Sequence, residues 1–172
     1  MIDKKNKFDK SDCLERGDQS ESLFKILAIR HNWNIIEATE RENIDDHWDY
    51  RIIKGTERYR VEVKSMKKLS RSDNAVQDTW TWIELHGVRE NDGGWLFAGK
   101  SDIIAFEKND SFILVKRVDL IRVISSIVDF GLSVHDSAEA QYKVYQRKDR
   151  FDKISLIETR FLDSIKWDEW RK

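Results

Sequence analysis

Two stretches of strict alternation, separated by a short polar turn, constrain the fold of this chain most. From His47 to Ile53 aromatic or aliphatic side chains occupy every second position, and the same pattern resumes from Arg58 to Lys64. The segment Lys54–Glu57 between them contains a glycine and has the composition of a turn. Because successive side chains of a strand point to opposite faces, the pattern predicts an antiparallel hairpin with one apolar face.

The polar residues of this hairpin include a chemically useful set: Asp49, Glu62 and Lys64. Antiparallel pairing would bring Asp49 close to residues 62–64, and side chains two positions apart share a face. Two carboxylates can hold a hard divalent cation through oxygen, with the carbonyl of Val63 as a further ligand. A neighbouring lysine can position water or offset charge on a phosphate. The alternative is an ordinary solvated strand face, and the spacing alone leaves both interpretations open.

A further carboxylate is expected from a helix predicted over residues 18–32. The 3.6-residue period places Phe24 and Ala28 on an apolar face, and Glu21 lies on that same face. Asp18 provides a start signal for the helix. A glutamate in the first turn is also favoured by the helix dipole. Its position on the apolar face instead predicts that Glu21 points towards the sheet.

These residues resemble the pattern of the PD-(D/E)xK nuclease superfamily, which has the restriction-endonuclease-like fold. The pattern is a glutamate on a helix, an aspartate on a hairpin and E-x-K on the next strand, here Glu21, Asp49 and Glu62-Val63-Lys64. The resemblance implies cleavage of DNA, less often RNA, with Mg²⁺ for which Mn²⁺ can substitute. It implies Asp49, Glu62 and Val63 as metal ligands, Glu21 in the acidic cluster and Lys64 at the attacking water.

The resemblance covers roughly residues 17–118 and has one departure, since Trp48 stands before Asp49 and the chain has no proline. The stretch 80–108 also looks like small nuclease-like proteins carried by phages, which implies the cytoplasm of a host cell. A catalytically inactive nucleic-acid- or protein-binding module of the same fold remains an alternative. A junction-resolving or RNA-cleaving nuclease is another, and junction cutting would call for a symmetric homodimer.

The charge distribution is compatible with a DNA substrate, although the net charge is only −1. Residues 37–50 are mainly acidic and residues 51–71 mainly basic, as expected for cation recruitment beside a phosphate-binding flank. Lys67, Lys68 and Arg71 follow Lys64 in a polar loop and are predicted to contact nucleic-acid phosphates, although a solvated loop has the same composition. Seven tryptophans are expected mainly in the core, with some free to stack on bases.

Other kinds of chemistry are poorly supported. The single cysteine, Cys13, excludes an internal disulfide and a cysteine-based zinc cluster, and a phosphate-binding P-loop is absent. His47 could line the site, and Gln77 could support it or lie on the surface. No apolar run approaches the roughly 18 residues of a membrane helix. We therefore expect no membrane partner and a cytoplasmic location.

At 172 residues the chain is predicted to hold a flexible tail over residues 1–16 and one domain over residues 17–172. Strands grouped together with helices at the ends predict an α/β fold, with a central mixed sheet flanked by helices. In the second half of the chain, Asp119 is predicted to cap a helix over Leu120–Phe130 that Gly131 ends.

Overall fold

The computed structural model describes residues 4–172, with side chains from residue 12 onwards. Its first element, α1, spans Lys4–Arg30, so the predicted helix is present but begins earlier. Residues 4–16, predicted as a flexible tail, are helical, and residues 1–3 lie outside the described part. The segment before Gly17 contains neither glycine nor proline, so nothing in it interrupts a helix. Arg16 also binds Asp12 one turn back at 3.0 Å.

The remaining elements are mostly short strands. They are β1 (Asn34–Glu37), β2 (Tyr50–Lys54), β3 (Glu57–Lys64), β4 (Trp80–His86), α2 (Gly94–Phe97), β5 (Ile103–Glu107), β6 (Ser111–Lys116), α3 (Arg117–Ile127), β7 (Asp129–Val134), β8 (Lys143–Gln146), β9 (Lys153–Glu158), α4 (Arg160–Ser164) and β10 (Lys166–Arg171). Among the helices of this described part, none is both long and apolar enough to cross a membrane.

The strands form two mixed sheets. The first has the order β1-β2-β3-β5-β6-β10, and the second has the order β4-β9-β8-β7. Within them β3 runs parallel to β5 and β7 parallel to β8, while the other neighbours are antiparallel. The predicted α/β class is confirmed. The strands are divided between two sheets rather than gathered in one, because the chain leaves the first sheet after β3 and starts the second with β4.

The predicted hairpin is formed by β2 and β3. Tyr50 pairs with Val61, and Gly55 in the turn has a φ of 60°, which glycine adopts without steric cost. Tyr50, Ile52 and Val61 are buried, as the alternation requires. A slip of one residue would turn the side chain of Glu62 to the opposite face, so the apolar pattern fixes where the charged side chains point.

The first sheet is buried on both faces, which explains the unbroken apolar runs of β5 and β6. Ile103 and Ala105 face a core cluster shared with Phe24 of α1. Ile104 and Phe106 face a second cluster, shared with β4, β8, β9 and α3. The molecule is therefore layered, with α1 on one side of the first sheet and α3 with the second sheet on the other.

The helix predicted over Leu120–Phe130 is shifted towards the N-terminus. α3 begins at Arg117, whose guanidinium donates to the carbonyl of Ser101 at 2.8 Å and fixes the chain directly after β6. Asp119 therefore lies in the first turn rather than at the cap. Gly131 lies within β7, because the backbone becomes extended as soon as α3 ends.

The last strand, which the sequence did not predict, is anchored by Trp170. This side chain is fully buried, and its ring centroid lies 5.1 Å from that of Phe24 and 5.0 Å from that of His31.

Trp170→Ala should lower the free energy of unfolding by about 3–5 kcal/mol, because it leaves a large cavity between β10 and α1. Urea unfolding measures the loss, with the exposed neighbour Arg171→Ala as control. A loss below about 1 kcal/mol would show that β10 is not docked in this way.

Candidate active site

A cleft of about 660 Å³ opens beyond the C-terminal end of β3. Its walls come from α1, from the loop before β2, from residues 62–67 and from β4. All four residues predicted as catalytic line it: Glu21, Asp49, Glu62 and Lys64. The structure thus brings together side chains from three separate parts of the chain, whereas their catalytic roles stay a prediction.

Asp49 is held against the edge of β3. Its Oδ2 accepts the backbone N–H of Val63 at 2.6 Å, and its Oδ1 accepts the side-chain amide of Asn43 at 2.6 Å. Its own backbone N–H donates to the carbonyl of Val61 at 2.8 Å. The N–H and C=O of a strand residue point to the same edge, so the carbonyl of Val63 faces the side on which Asp49 lies.

A negative charge on Asp49 is unfavourable in this position. The residue is only 8% exposed, and burial, followed by the negative charges of Glu62 and Glu21, raises the pKa of Asp49 to about 8. The hydrogen bond from Val63 and the charge of Lys64 act in the opposite direction. At neutral pH the carboxyl group of Asp49 therefore resists ionisation, and an added positive charge in the cleft would favour its ionised form.

Glu62 and Lys64 form an ion pair on the same face of β3. The ammonium of Lys64 contacts Oε1 of Glu62, which is 7% exposed, and it lies 5.1 Å from the ring centroid of Trp95. Burial would lower the pKa of Lys64, but the carboxylates of Glu62 and Asp49 outweigh it and raise the pKa. Lys64 is therefore an ammonium ion at neutral pH, suited to stabilise negative charge rather than to accept a proton.

Glu21 projects from α1 into the same cleft, as its place on the apolar face of the helix predicted. Burial raises the pKa of Glu21, and the negative charges of Asp18 and Glu62 act in the same direction. The interaction with Glu62 means that α1 adds a third negative group to the site. A cation in the cleft would be attracted by all three carboxylates.

Glu84 is a further acidic residue of the cleft and was not predicted from the sequence. It lies on β4, and its Oε1 accepts the backbone N–H of Trp95 at 3.2 Å. Burial raises the pKa of Glu84, while the charge of Lys64 opposes this rise. The alternation of β4 predicts that Glu84 shares a face with Trp82. That this face meets the end of β3 follows from the packing of two sheets, for which the sequence carries no local signal.

His47 lines the cleft, as proposed, but its ring is engaged by Asp92. Nε2 of His47 lies 2.9 Å from Oδ1 of Asp92, and the backbone of His47 has a left-handed φ of 54°. Asp92 also accepts the N–H of Gly94 at 3.0 Å. Burial alone would raise the pKa of Asp92, but these hydrogen bonds and the nearby charges hold it below its usual value. This pair ties the loop before α2 to the loop that carries Asp49.

The three basic residues predicted to contact phosphates differ in their positions. Lys67 lines the cleft and is exposed to solvent, while partial desolvation, with a contribution from Lys64, lowers the pKa of Lys67. Lys68 and Arg71 lie further along the same loop, outside the cleft wall, and Arg71 is exposed. One of the three is thus placed beside the acidic cluster.

Gln77 has a structural role at the rim of the cleft. Its side-chain amide donates to the carbonyls of Lys67 and Trp80 at 3.1 and 2.9 Å, and its Oε1 accepts the N–H of Trp80 at 2.7 Å. All three contacts join the two ends of the loop between β3 and β4. Gln77 therefore positions Lys67 and Trp80 and is not a simple surface residue.

The oxygen donors of the cleft fit a hard divalent cation better than zinc. In the part of the chain that the structure describes, no group of three or more His, Cys, Asp or Glu side chains is arranged to hold a metal. The carboxylates of Asp49 and Glu62, with the carbonyl of Val63, make a smaller set. Mg²⁺ keeps several waters and is bound through one or two carboxylates, whereas a structural zinc site needs four protein ligands.

The chain has limited similarity to known proteins. No protein-family model matches the chain, and no curated protein matches its sequence. Among solved structures the chain is similar to a bacterial homing endonuclease, I-Ssp6803I, with 15% sequence identity and a TM-score of 0.44. That match covers 62% of this chain and 70% of the endonuclease.

The raised pKa of Asp49 predicts that stability depends on pH when divalent cations are removed. An unfolded aspartate ionises near pH ~3.9, whereas folded Asp49 keeps its proton up to a pKa of about 8. The stabilisation by the neutral carboxyl is complete below the unfolded pKa and is lost as the pH rises through the folded value. The side chain of residue 49 cannot ionise in Asp49→Asn. As the pH rises across this window, the free energy of unfolding of this variant should therefore increase relative to that of wild type, with a slope that corresponds to about one proton.

Urea unfolding in EDTA between about pH 5 and pH 8 tests this dependence. The exposed carboxylate variant Asp110→Asn serves as the control and should follow the wild-type curve. Parallel curves for wild type and Asp49→Asn would show that Asp49 ionises as easily in the folded protein as in the unfolded chain.

Proposed function

We propose that this chain is a Mg²⁺-dependent nuclease that hydrolyses phosphodiester bonds within DNA strands. The observation that carries the proposal is the convergence of two buried carboxylates, Asp49 and Glu62, with the ammonium of Lys64 in one open cleft. The order of these residues in the chain, with Glu21 before them, resembles that of the PD-(D/E)xK superfamily and supports the same activity.

The electrostatics of the cleft favour a bound cation. Burying two carboxylates side by side costs stability unless positive charge compensates them. Lys64 compensates only part of this charge, since Glu21 and Glu84 add to it. Asp49 and Glu84 each accept a backbone N–H, yet the pKa values of Glu21, Asp49 and Glu84 stay raised, which supports a role in holding a cation.

The residues of the chain divide the chemistry between them. Asp49, Glu62 and the Val63 carbonyl would hold Mg²⁺, which supplies a Lewis acid for the phosphate and acidifies a bound water. Lys64 donates its ammonium N–H groups to the attacking water or to the phosphate oxygens, where negative charge grows in the transition state. Glu21 would complete the acidic cluster, through a water or at a second ion.

Glu84 and Trp95 are suited to keep Lys64 in place. The ammonium of Lys64 contacts Glu62 in this structure, and a cation on Glu62 would compete for the same carboxylate. Glu84 attracts Lys64 from β4, and the ring of Trp95 lies beneath the ammonium. These two groups would keep Lys64 at the cleft if a cation occupied Glu62.

The DNA strand would approach from the side of the loop between β3 and β4. Lys67 lies at the cleft, and Lys68 and Arg71 extend the basic surface along that loop. Contacts of this kind position the backbone without reading its sequence. A homodimer, which would cut two strands symmetrically, stays a prediction.

Asp49→Ala and Lys64→Ala should each abolish cleavage while leaving the protein folded. Asp49→Ala removes a ligand of the cation, and Lys64→Ala removes the charge that stabilises the transition state. The measurement is a gel assay with Mg²⁺ on single-stranded, double-stranded and branched DNA and on RNA, repeated in EDTA. Circular dichroism confirms the fold of each variant.

Matched controls remove the same groups outside the cleft. Lys166→Ala breaks another lysine–glutamate pair, with Glu169. Asp110→Ala removes an exposed carboxylate. Both variants should retain wild-type cleavage. Full activity of Asp49→Ala or Lys64→Ala would overturn the assignment. An inactive wild-type protein that also shows no Asp49-dependent heat of Mg²⁺ binding would instead indicate a binding module of the same fold.

A further inference from the structure

One wall of the cleft is aromatic and comes from β4. Trp80, Thr81, Trp82 and Glu84 line the cleft, whereas Ile83 and Leu85 are buried in the core between the two sheets. The two tryptophans are partly exposed, so the strand presents indole surface to the open space. Such surface is unfavourable in water and indicates a ligand with flat apolar faces.

The orientation of these two rings is fixed by the protein. The indole N–H of Trp82 donates to the carbonyl of Lys68 at 3.1 Å, and its ring centroid lies 6.2 Å from that of Tyr145. The ring of Trp80 lies 6.2 Å from that of Tyr142, and its backbone is held by Gln77. Rings supported in this way lose little freedom when a second ring stacks on them.

The tryptophans of β4 lie next to the acidic residues of the cleft. Glu84, which attracts Lys64, lies two residues beyond Trp82 on the same strand. Lys67, also on the cleft wall, adds a cationic group. A chain of nucleotides with its bases against β4 would therefore have its phosphates near Lys67 and the carboxylates.

We propose that the cleft takes single-stranded DNA, with its bases stacked on Trp80 and Trp82 and its backbone passing over the carboxylates and Lys64. This inference rests on the proposed nuclease function and names its substrate class. Stacking on aromatic side chains tolerates any base, because every base has a π-face. The cleft would therefore select unpaired strands, such as loops, flaps and ends, rather than a particular sequence.

Stacking on Trp80 and Trp82 also argues against an intact duplex. Asp49 and Glu62 are 8% and 7% exposed, so a phosphate must enter the cleft to reach them. In a duplex the base faces are stacked on one another and closed to side chains, and a base becomes accessible only after it leaves the stack. An unpaired strand can bend into the cleft and offer its bases at no such cost.

Binding measurements on Lys64→Met in Mg²⁺ test this inference without turnover, because the variant keeps the proposed ligands of the cation. The probe is a fluorescein-labelled oligothymidylate of about 12 nucleotides, within the range that single-strand sites span. It is compared with an abasic oligomer of equal length and with a blunt duplex. We expect the oligothymidylate to bind about 10-fold or more tightly than either, as the loss of one or two stacked bases would produce.

Trp82→Leu in the same background should weaken binding of the oligothymidylate by about 5-fold to 100-fold and leave binding of the abasic oligomer unchanged. Trp167→Leu, a partly exposed tryptophan on β10, is the matched control and should bind like its parent. Equal affinity for the abasic oligomer, or no effect of Trp82→Leu, would overturn the inference.

The two proposals fail in distinguishable ways. If the wild-type protein cleaves nothing but its binding depends on the bases, the nuclease function would be refuted, whereas stacking on Trp80 and Trp82 would stay supported. Cleavage of blunt duplex that depends on Asp49 but not on Trp80 or Trp82 would support the nuclease and refute the single-strand cleft. Thermal unfolding of each tryptophan variant confirms that its fold is retained.

Discussion

The hydrogen bond from the N–H of Val63 to the carboxylate of Asp49 is the contact on which the candidate site depends. It is 2.6 Å long and joins the start of β2 to the end of β3, where regular pairing has stopped. It holds Asp49 beside Glu62 in a cleft where both are almost removed from water. Burial beside Glu62 in this position raises the pKa of Asp49, and the cation that we propose would bind at the same place.

Such a site is stable only on a rigid support. The support is the first sheet, whose strands β5 and β6 are buried on both faces between α1 and the second sheet. Packing on both sides fixes the position of β3 through its parallel pairing with β5, in which Glu62 lies opposite Ile104. The apolar layers therefore provide the free energy that the clustered carboxylates oppose. The same layering places β4, with Glu84 and its tryptophans, across from the end of β3.

Local sequence patterns predicted the parts of the site that depend on strand and helix period. The alternation around Asp49 and along β3 specified the faces and the register of the hairpin, and the helical period placed Glu21 on the buried side of α1. Glu84 and the pairing of His47 with Asp92 were not predicted, because they depend on how the second sheet packs against the first. The start of α3 was placed too late because Asp119 resembles an N-cap, whereas Arg117 anchors the helix through the carbonyl of Ser101. The short elements α4 and β10 have no period long enough to predict them, although Trp170 makes β10 part of the core.

The central claim is that Asp49, Glu62 and the Val63 carbonyl form one cation site, and locating the ion tests it most directly. A crystal of the wild-type protein soaked in Mn²⁺, an anomalous scatterer that can replace Mg²⁺, would reveal each bound ion by its own signal. We expect a peak in contact with both carboxylates and this carbonyl in the wild-type protein, and no such peak in Asp49→Asn. A Mn²⁺ peak elsewhere, or a wild-type cleft in which Lys64 stays on Glu62 and no ion binds, would contradict it.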